Sequence, residues 1–169
     1  HNATMGITVW NSMNGTLQNN TANNNHDNDI NLEVSDHIVV ERNTINSSAG
    51  GGGIKIRNSI HTLISNNNIT FNNEWYLSYG IAVASGIGFG EGGNFKKRPS
   101  ADVKSSNNSV ICKGGQWTGI RVYAYPEAPY KENVNITIEN NTVQNSLTGK
   151  CMEAYGSSIF ITGNSTIGN

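Results

Sequence analysis

Two short phrases recur along the chain and constrain its fold more than any other feature. The first is a strand pattern in which two apolar residues flank one polar or small residue. It occurs at Ile7/Val9, Ile30/Leu32, Ile54/Ile56, Ile81/Val83 and Ile120/Val122, with a degraded copy at Met152/Ala154. The first residues of these pairs lie 23, 24, 27, 39 and 32 positions apart, so a unit of about 24 residues repeats and later copies carry longer loops. Such alternation predicts strands with one buried face, and this period is typical of a solenoid.

The second phrase is a short strand followed by asparagine, one spacer residue, and Ile or Val. It reads DHIVVERNTI, IHTLISNNNI, ADVKSSNNSV, VNITIENNTV and, more weakly, SIFITGNSTI, starting at residues 36, 60, 101, 134 and 158. Asparagine tolerates left-handed backbone, and its amide can satisfy the polar groups of a sharp corner. Stacked turns would place equivalent asparagines within hydrogen-bonding reach. We therefore predict an asparagine ladder of Asn43, Asn67, Asn108 and Asn141, ended by Ser165, beside an apolar row of Ile45, Ile69, Val110, Val143 and Ile167.

These patterns predict an all-β fold, a right-handed parallel β-helix of about six turns, as a single domain over residues 1–169. A helical fold is disfavoured because Gly, Asn, Ser, Thr and β-branched residues form helices poorly. The repeated inward-facing pairs argue against disorder of the whole chain. Two segments, 84–102 and 123–133, interrupt the period as loop inserts. Both follow the same kind of strand, so we expect them to leave the same edge of the solenoid.

The aromatic residues near these inserts leave two interpretations open. The residues concerned are Trp75, Tyr76, Trp117, Tyr123, Tyr125 and Tyr130. Aromatic faces stack on sugars, which favours glycan binding, whereas enrichment of Tyr and Trp in interfaces favours contact with another subunit. Only 14% of the residues are charged and the net charge is −1, without a basic stripe, so no nucleic-acid partner is expected. No apolar run of about 18 residues occurs, so membrane insertion is not expected either.

Candidate catalytic and metal-binding residues are few. The densest acidic group is HDND at residues 26–29, where Asp27 and Asp29 are a calcium candidate and a solvated turn is the alternative. The group lacks the adjacent Asp pair and the Gly-His-Gly of β-helix hydrolases, so we expect no enzyme activity, no catalytic residue and no cofactor. The four histidines, His1, His26, His37 and His61, show no spacing that marks a zinc or copper site. Lys55 and Arg57 alternate on one strand and are expected on a solvated outer face.

Features of the chain predict its location outside the cell. It begins at His1 without Met, which is consistent with removal of a secretory peptide, although a trimmed sequence would look the same. It also contains nine Asn-x-Ser/Thr sequons, as a secreted glycoprotein would, but an Asn-rich chain produces many of these by chance. In an oxidising setting Cys112 and Cys151 are available for disulfide bonds. The repeat register puts the two cysteines on different faces. Pairing with each other is therefore not the obvious choice, and bonds between subunits are left open.

The two ends of the repeat array predict self-assembly. The strand pattern begins at Gly6 and the last one ends at Ile167, without a charged cap at either end, and bare terminal turns expose strand edges. Nine residues separate Ile45 from Ile54. Nine also separate Ile167 from Ile7 of a second copy. We expect the assembly edges to be formed by Gly6, Ile7, Val9, Phe160 and Ile167.

The phrases ISNNNI, IENNTV and GIxV resemble the parallel β-helix repeats of carbohydrate-binding and hydrolase-type proteins, including copper-chaperone-like periplasmic proteins and surface proteins of methanogenic archaea. Their style is similar to that of the major protein of the tubular sheaths around some methanogens, whose strands are amyloid-like and whose hoops are joined by disulfides. This resemblance implies an archaeal structural protein that polymerises with itself into a sheath, hoop or filament, with cell-surface glycans as further partners. The alternative is a carbohydrate-binding or polysaccharide-degrading β-helix protein.

Overall fold

The repeated strand patterns form three stacked layers of short strands. The computed structural model describes residues 4–47, 52–71, 79–86, 98–113, 118–124, 132–145 and 150–167. In chain order the strands are β1 (Ile7–Trp10), β2 (Met13–Gln18), β3 (Thr21–Asn23), β4 (Asn28–Glu33), β5 (Asp36–Glu41), β6 (Thr44–Ser47), β7 (Gly52–Arg57), β8 (Ile60–Ser65), β9 (Asn68–Phe71), β10 (Tyr79–Ser85), β11 (Ala101–Ser106), β12 (Ser109–Cys112), β13 (Thr118–Ala124), β14 (Asn133–Glu139), β15 (Thr142–Asn145), β16 (Lys150–Ala154), β17 (Gly156–Thr162) and β18 (Ser165–Ile167).

Each turn of the chain contributes one strand to each of three parallel sheets. Sheet A has the order β1-β4-β7-β10-β13-β16, sheet B the order β2-β5-β8-β11-β14-β17, and sheet C the order β3-β6-β9-β12-β15-β18. The described part of the chain contains no helix, and thus none of the length and apolarity needed to cross a bilayer. Six turns of three parallel strands form a parallel β-helix, which confirms the fold class predicted from the repeats.

The alternating apolar pairs stack in register inside sheet A. The row runs from Ile7 through Ile30, Ile54, Ile81 and Ile120 to Met152, and the second residue of each pair follows the same pairing. From the second to the fifth turn these side chains are buried, because a neighbouring turn covers them on both sides. Complete burial of such a side chain stabilises a fold by about 1.5–3 kcal/mol. The interior rows therefore supply much of the driving force for folding.

A second apolar row lies in sheet C and ends differently from the prediction. Its members are Ala22, Ile45, Ile69, Val110 and Val143. The prediction that Ile167 continues the row is wrong, because Val143 pairs with Thr166 and Gln144 pairs with Ile167. A shift of one residue turns a strand side chain to the other face, so Ile167 points outward and is 54% exposed. The predicted count of nine residues from Ile167 to Ile7 of a second copy therefore starts at the wrong residue.

The two predicted inserts both connect sheet A to sheet B. Between β10 and β11, and again between β13 and β14, the chain passes from one of these sheets to the other. The flanking strands extend into both predicted inserts, and residues 87–97 and 125–131 lie outside the described residues. The two predicted inserts thus start from the same corner of the solenoid.

The outer face of sheet A is not the solvated surface predicted for Lys55 and Arg57. Their side chains alternate with the inward row as expected, yet the two residues are 7% and 1% exposed. Arg57 forms a buried ion pair with Glu33 on the adjacent strand β4, and Asn31 Nδ2 donates to Glu33 Oε1 at 3.2 Å. The expectation of exposure is wrong because alternation fixes the direction of a side chain and not what covers it.

Candidate functional site

The corner between sheets B and C carries a ladder of asparagine side chains. One residue of each turn takes part, in the order Asn20, Asn43, Asn67, Asn108, Asn141 and Asn164. The residue before each has left-handed backbone with φ between 52 and 61°, namely Asn19, Arg42, Asn66, Asn107, Asn140 and Gly163. Asn and Gly adopt this conformation most easily, which explains their recurrence at the corner.

Each of the four ladder amides between the two end members bonds to the turns on both sides of it. The backbone N and the Nδ2 of Asn67 both donate to Oδ1 of Asn108, each at 2.9 Å. The same Nδ2 also donates to the carbonyl oxygen of Val40 at 2.9 Å. Oδ1 of Asn67 accepts from N and Nδ2 of Asn43 at 3.0 and 2.9 Å. The ladder thus satisfies buried backbone groups at every corner, which is a structural role.

Asn164, rather than Ser165, occupies the ladder position in the last turn. N and Nδ2 of Asn141 donate to Oδ1 of Asn164 at 2.9 and 3.0 Å. The prediction of Ser165 is wrong through the same one-residue shift that misplaced Ile167. The ladder has a direction, since each turn donates to the next. Among the described residues, Oδ1 of Asn20 is left as an open acceptor at one end and the backbone N of Asn164 as an open donor at the other.

A second row stands on the outer face of sheet B. One residue of each sheet B strand has a positive φ, and these residues are Asn14, His37, His61, Asp102, Asn135 and Ser158. The residues on either side of them pair in register, so the six positions lie one above another. His37 and His61 are neighbours in this row, with ring centroids 4.4 Å apart and ring planes tilted by 33°. We call Asp36, His37 and His61 the histidine stack.

The polar atoms of the histidine stack converge on one carboxylate oxygen. Oδ1 of Asp36 lies 2.7 Å from Nδ1 of His37 and 2.8 Å from Nδ1 of His61. On the far side of the second ring, Nε2 of His61 lies 3.5 Å from Oδ2 of Asp102, and Nδ2 of Asn135 donates to Oδ1 of Asp102 at 2.5 Å. Burial by itself raises the pKa of Asp36, but the hydrogen bonds and charges of His61 and His37 outweigh it and lower that pKa below its usual value.

The spacing of the histidines along the chain did not predict this cluster, because side chains that meet in a solenoid can come from different turns and be far apart in sequence. Within the described ranges, Asp36, His37 and His61 are the one group of three such residues whose ligand atoms all lie within 4.8 Å of one another. The signal that could have found them is their separation. His37 and His61 are 24 residues apart, which is the separation of Ile30 and Ile54 and therefore one turn.

The calcium candidates Asp27 and Asp29 contact different asparagines. Oδ1 of Asp29, a buried residue, accepts from Nδ2 of Asn25 at 2.6 Å. Oδ1 of Asp27 accepts from Nδ2 of Asn28 at 2.9 Å. The calcium site stays a prediction.

Most aromatic residues of the glycan interpretation, Trp75, Tyr76, Trp117, Tyr125 and Tyr130, lie outside the described residues. Tyr123 is described, and its ring packs beside two side chains. The guanidinium carbon of Arg121 lies 4.7 Å from the ring centroid of Tyr123, and the centroid of Tyr79 lies 6.4 Å from it. Glycan binding also stays a prediction.

Both cysteines are buried thiols in the interior of the solenoid. Cys112 on β12 is 1% exposed and Cys151 on β16 is 4% exposed. Burial, with a smaller contribution from Cys151, raises the pKa of Cys112 to about 12. The two residues lie on different sheets, but both belong to the apolar core. The predicted disulfides between subunits are not supported, because exchange needs an accessible thiolate.

The predicted assembly edges fall into two groups. Gly6 donates its N–H to the carbonyl of Asn28, and Ile7 and Val9 of the first turn belong to the interior rows. Phe160 points outward, because it pairs with Thr137, and Ile167 also points outward. In the last turn the inward residues of sheet B are Ile159 and Ile161, which pair with Ile136 and Ile138.

Three parallel sheets with stacked interior rows and a corner ladder define the class of this chain as a parallel β-helix repeat protein. A family model described as periplasmic copper-binding protein (NosD) matches residues 1–89, and the chain belongs to that family. Comparisons with curated proteins and with solved structures gave no match. The family description is consistent with a periplasmic, extracellular or cell-surface location.

Copper binding is named in the description of the family. Whether this chain can hold such an ion depends on the donor atoms that its own side chains bring together. Imidazole nitrogen and carboxylate oxygen both bind copper in proteins. Within the described residues, the histidine stack supplies two imidazole nitrogens and one carboxylate oxygen, and these three atoms lie within 4.8 Å of one another. The donor set therefore fits.

Proposed function

We propose that this chain is an extracellular structural protein that assembles with copies of itself by stacking one solenoid end on the other. The observation that carries the proposal is the complementarity of the two axial faces, meaning the open surfaces of the first and last described turns. The role proposed is structural and not catalytic, and its partner is a second copy of the chain.

The apolar parts of the two faces match. The first turn presents the interior side chains of Ile7, Val9 and Leu17. All three pack against the core but are only partly buried. The last turn presents Met152, Ala154, Ile159 and Ile161 in the continuation of the same rows. Ile161 is 51% exposed, whereas Ile138 below it is 1% exposed. Another turn stacked on the last one would bury these side chains and gain the hydrophobic stabilisation that the internal turns already have.

The hydrogen-bonding groups of the two faces match as well. Oδ1 of Asn20 is an acceptor at one face, and the backbone N of Asn164 is a donor at the other. Stacking the first turn of a second copy on the last turn would extend the asparagine ladder through the junction. The same contact would add a neighbouring strand to the outer edge of the first and last described turns, as strand addition does at other sheet edges. Because the two faces differ, the contact is head to tail and generates an open filament.

A pair of adjacent substitutions tests this proposal. Phe160 and Ile161 are 57% and 51% exposed, but the first points outward and the second points along the interior row. Ile161→Lys puts a charge into the proposed junction, where its burial is costly. Phe160→Lys is the matched control, with the same charge added at a neighbouring position.

Sedimentation velocity and negative-stain microscopy provide the readout. We expect the parent and Phe160→Lys to form filaments and Ile161→Lys to remain as single chains with unchanged circular dichroism. Filaments of normal length from Ile161→Lys would contradict stacking at the ends. Loss of filaments in Phe160→Lys alone would mean that copies associate through the outer face of sheet B instead.

A further inference from the structure

The histidine stack brings three donor atoms together on the outer face of sheet B. Its residues belong to β5 and β8, two paired strands that each have a neighbouring strand on both sides. His37 and His61 have φ values of 52 and 49°, but Asn14, Asn135 and Ser158 share this conformation in other turns. The backbone shape thus belongs to the fold, and the histidines are what distinguishes these two turns.

The spacing of the donors suits a metal ion. Two ligands bound at about 2.0–2.1 Å and at right angles are about 2.9 Å apart. The distances from Asp36 Oδ1 to the two Nδ1 atoms are 2.7 and 2.8 Å, so a cation can replace the protons between them after shifts of a few tenths of an ångström. The side chain of Asp36 is 18% exposed, and those of His37 and His61 are 58% and 43% exposed. A cation can enter from solvent and keep water in its remaining positions.

Asp102 lies beside the ring of His61 on the side opposite Asp36, and Asn135 contacts Asp102. Asp102 faces Nε2 of His61 and is itself bonded by Asn135 from the next turn. A carboxylate at Nε2 favours keeping the proton on Nε2, so the ring gives up its Nδ1 proton when a cation binds, and the Nδ1 lone pair then points at that cation. Carboxylates in this outer position commonly orient histidine ligands of metals. Asp102 is thus a positioning residue.

We propose that Asp36, His37 and His61 bind a divalent first-row transition cation through one carboxylate oxygen and two Nδ1 atoms, with Cu²⁺ bound most tightly. Imidazole ligands select for this class over Ca²⁺, which takes oxygen ligands, and Cu²⁺ stands highest in the usual order of affinities. The site links the second and third turns on the side of the solenoid. It is distinct from the axial faces and goes beyond the self-assembly proposed above.

Titration with Cu²⁺ alone tests the site by isothermal calorimetry and by electron paramagnetic resonance. The Ile161→Lys background keeps the chain from polymerising during the titration. His37→Asn and His61→Asn are the informative variants, because Asn already occupies the same backbone conformation at positions 14 and 135. His26→Asn is the control, since His26 is exposed and outside the stack.

We expect one Cu²⁺ equivalent with two coordinated nitrogens, at least tenfold weaker binding in each single variant, and loss of that equivalent in the double variant. His26→Asn should bind like its parent. Asp102→Asn should keep the stoichiometry and weaken binding by about 10-fold to 100-fold, as outer-shell changes do. Zn²⁺ should compete for the site and Ca²⁺ should not. Unchanged Cu²⁺ binding in the double variant, or no binding in its folded parent, would overturn the proposal.

Discussion

The asparagine ladder gives the sharpest prediction about stability. Asn67→Ala removes one amide from the middle of the ladder. The backbone N of Asn43 then loses its acceptor, and the carbonyl oxygen of Val40 loses a donor. Nδ2 of Asn43 loses one of two acceptors and keeps its bond to the carbonyl oxygen of Leu17 at 3.0 Å. Oδ1 of Asn108 keeps the backbone N–H of residue 67 and loses only the second bond.

The size of the effect follows from these groups. Asn43 and Val40 are 1% and 0% exposed, so water cannot easily replace the missing partners. A buried polar group left unsatisfied costs about 1–3 kcal/mol. Two groups lose a partner in this way, and with some relaxation of the surroundings we expect Asn67→Ala to lower the free energy of unfolding by about 2–5 kcal/mol.

Urea denaturation followed by circular dichroism measures this change, with the slope of the transition reporting whether unfolding stays cooperative. The neighbouring residue supplies the control. Asn68 is exposed and Thr occupies the equivalent place at Thr44 and Thr142, so Asn68→Thr should change the stability by less than about 0.5 kcal/mol. A loss below about 1 kcal/mol for Asn67→Ala would refute the role of the ladder.

Two further predictions concern the buried cysteine thiols and the buried ion pair between Arg57 and Glu33. Cys112 and Cys151 are both buried, so a thiol reagent should leave them unmodified in the folded chain and react with both in urea. With a pKa of about 12, only about one Cys112 thiol in 10,000 is ionised at pH 8, which slows its reaction further. Rapid reaction without urea would contradict the burial of the two residues. Glu33→Gln leaves the guanidinium of Arg57 without its buried carboxylate and should cost about 3–5 kcal/mol in urea denaturation. Glu41→Gln, which breaks an exposed pair, should cost less than about 1 kcal/mol, and equal losses in the two variants would show that the Glu33 pair is not specially dependent on burial.

The sequence predicts the fold from its period, because each turn must place the same kind of side chain inward at the same point. The prediction is wrong by one residue in the last turn, where Thr166 and not Ile167 is the inward residue. Because the apolar Ile167 was aligned with the interior row, the predicted ladder position fell on Ser165 and not on Asn164. Local composition favours that alignment, and only pairing with the preceding turn corrects it.

Burial and long-range contacts are harder to predict than the register. Alternation shows that Lys55 and Arg57 point outward, but it does not show that the outer face of sheet A is covered. His37 and His61 come together only when their separation is compared with the length of one turn. In a solenoid, residues that form a site share a position in the repeat rather than a motif in the sequence.

The most direct measurement of the central claim is the axial repeat of the assembled protein by electron cryomicroscopy. Six turns at about 4.8 Å each predict that one copy occupies about 29 Å along the filament, with an unbroken spacing of about 4.8 Å through the junction. Density for the asparagine ladder should continue from Asn164 of one copy to Asn20 of the next. A gap in the strand spacing at every junction, or copies arranged side by side with their axes across the filament, would contradict assembly by end-to-end stacking.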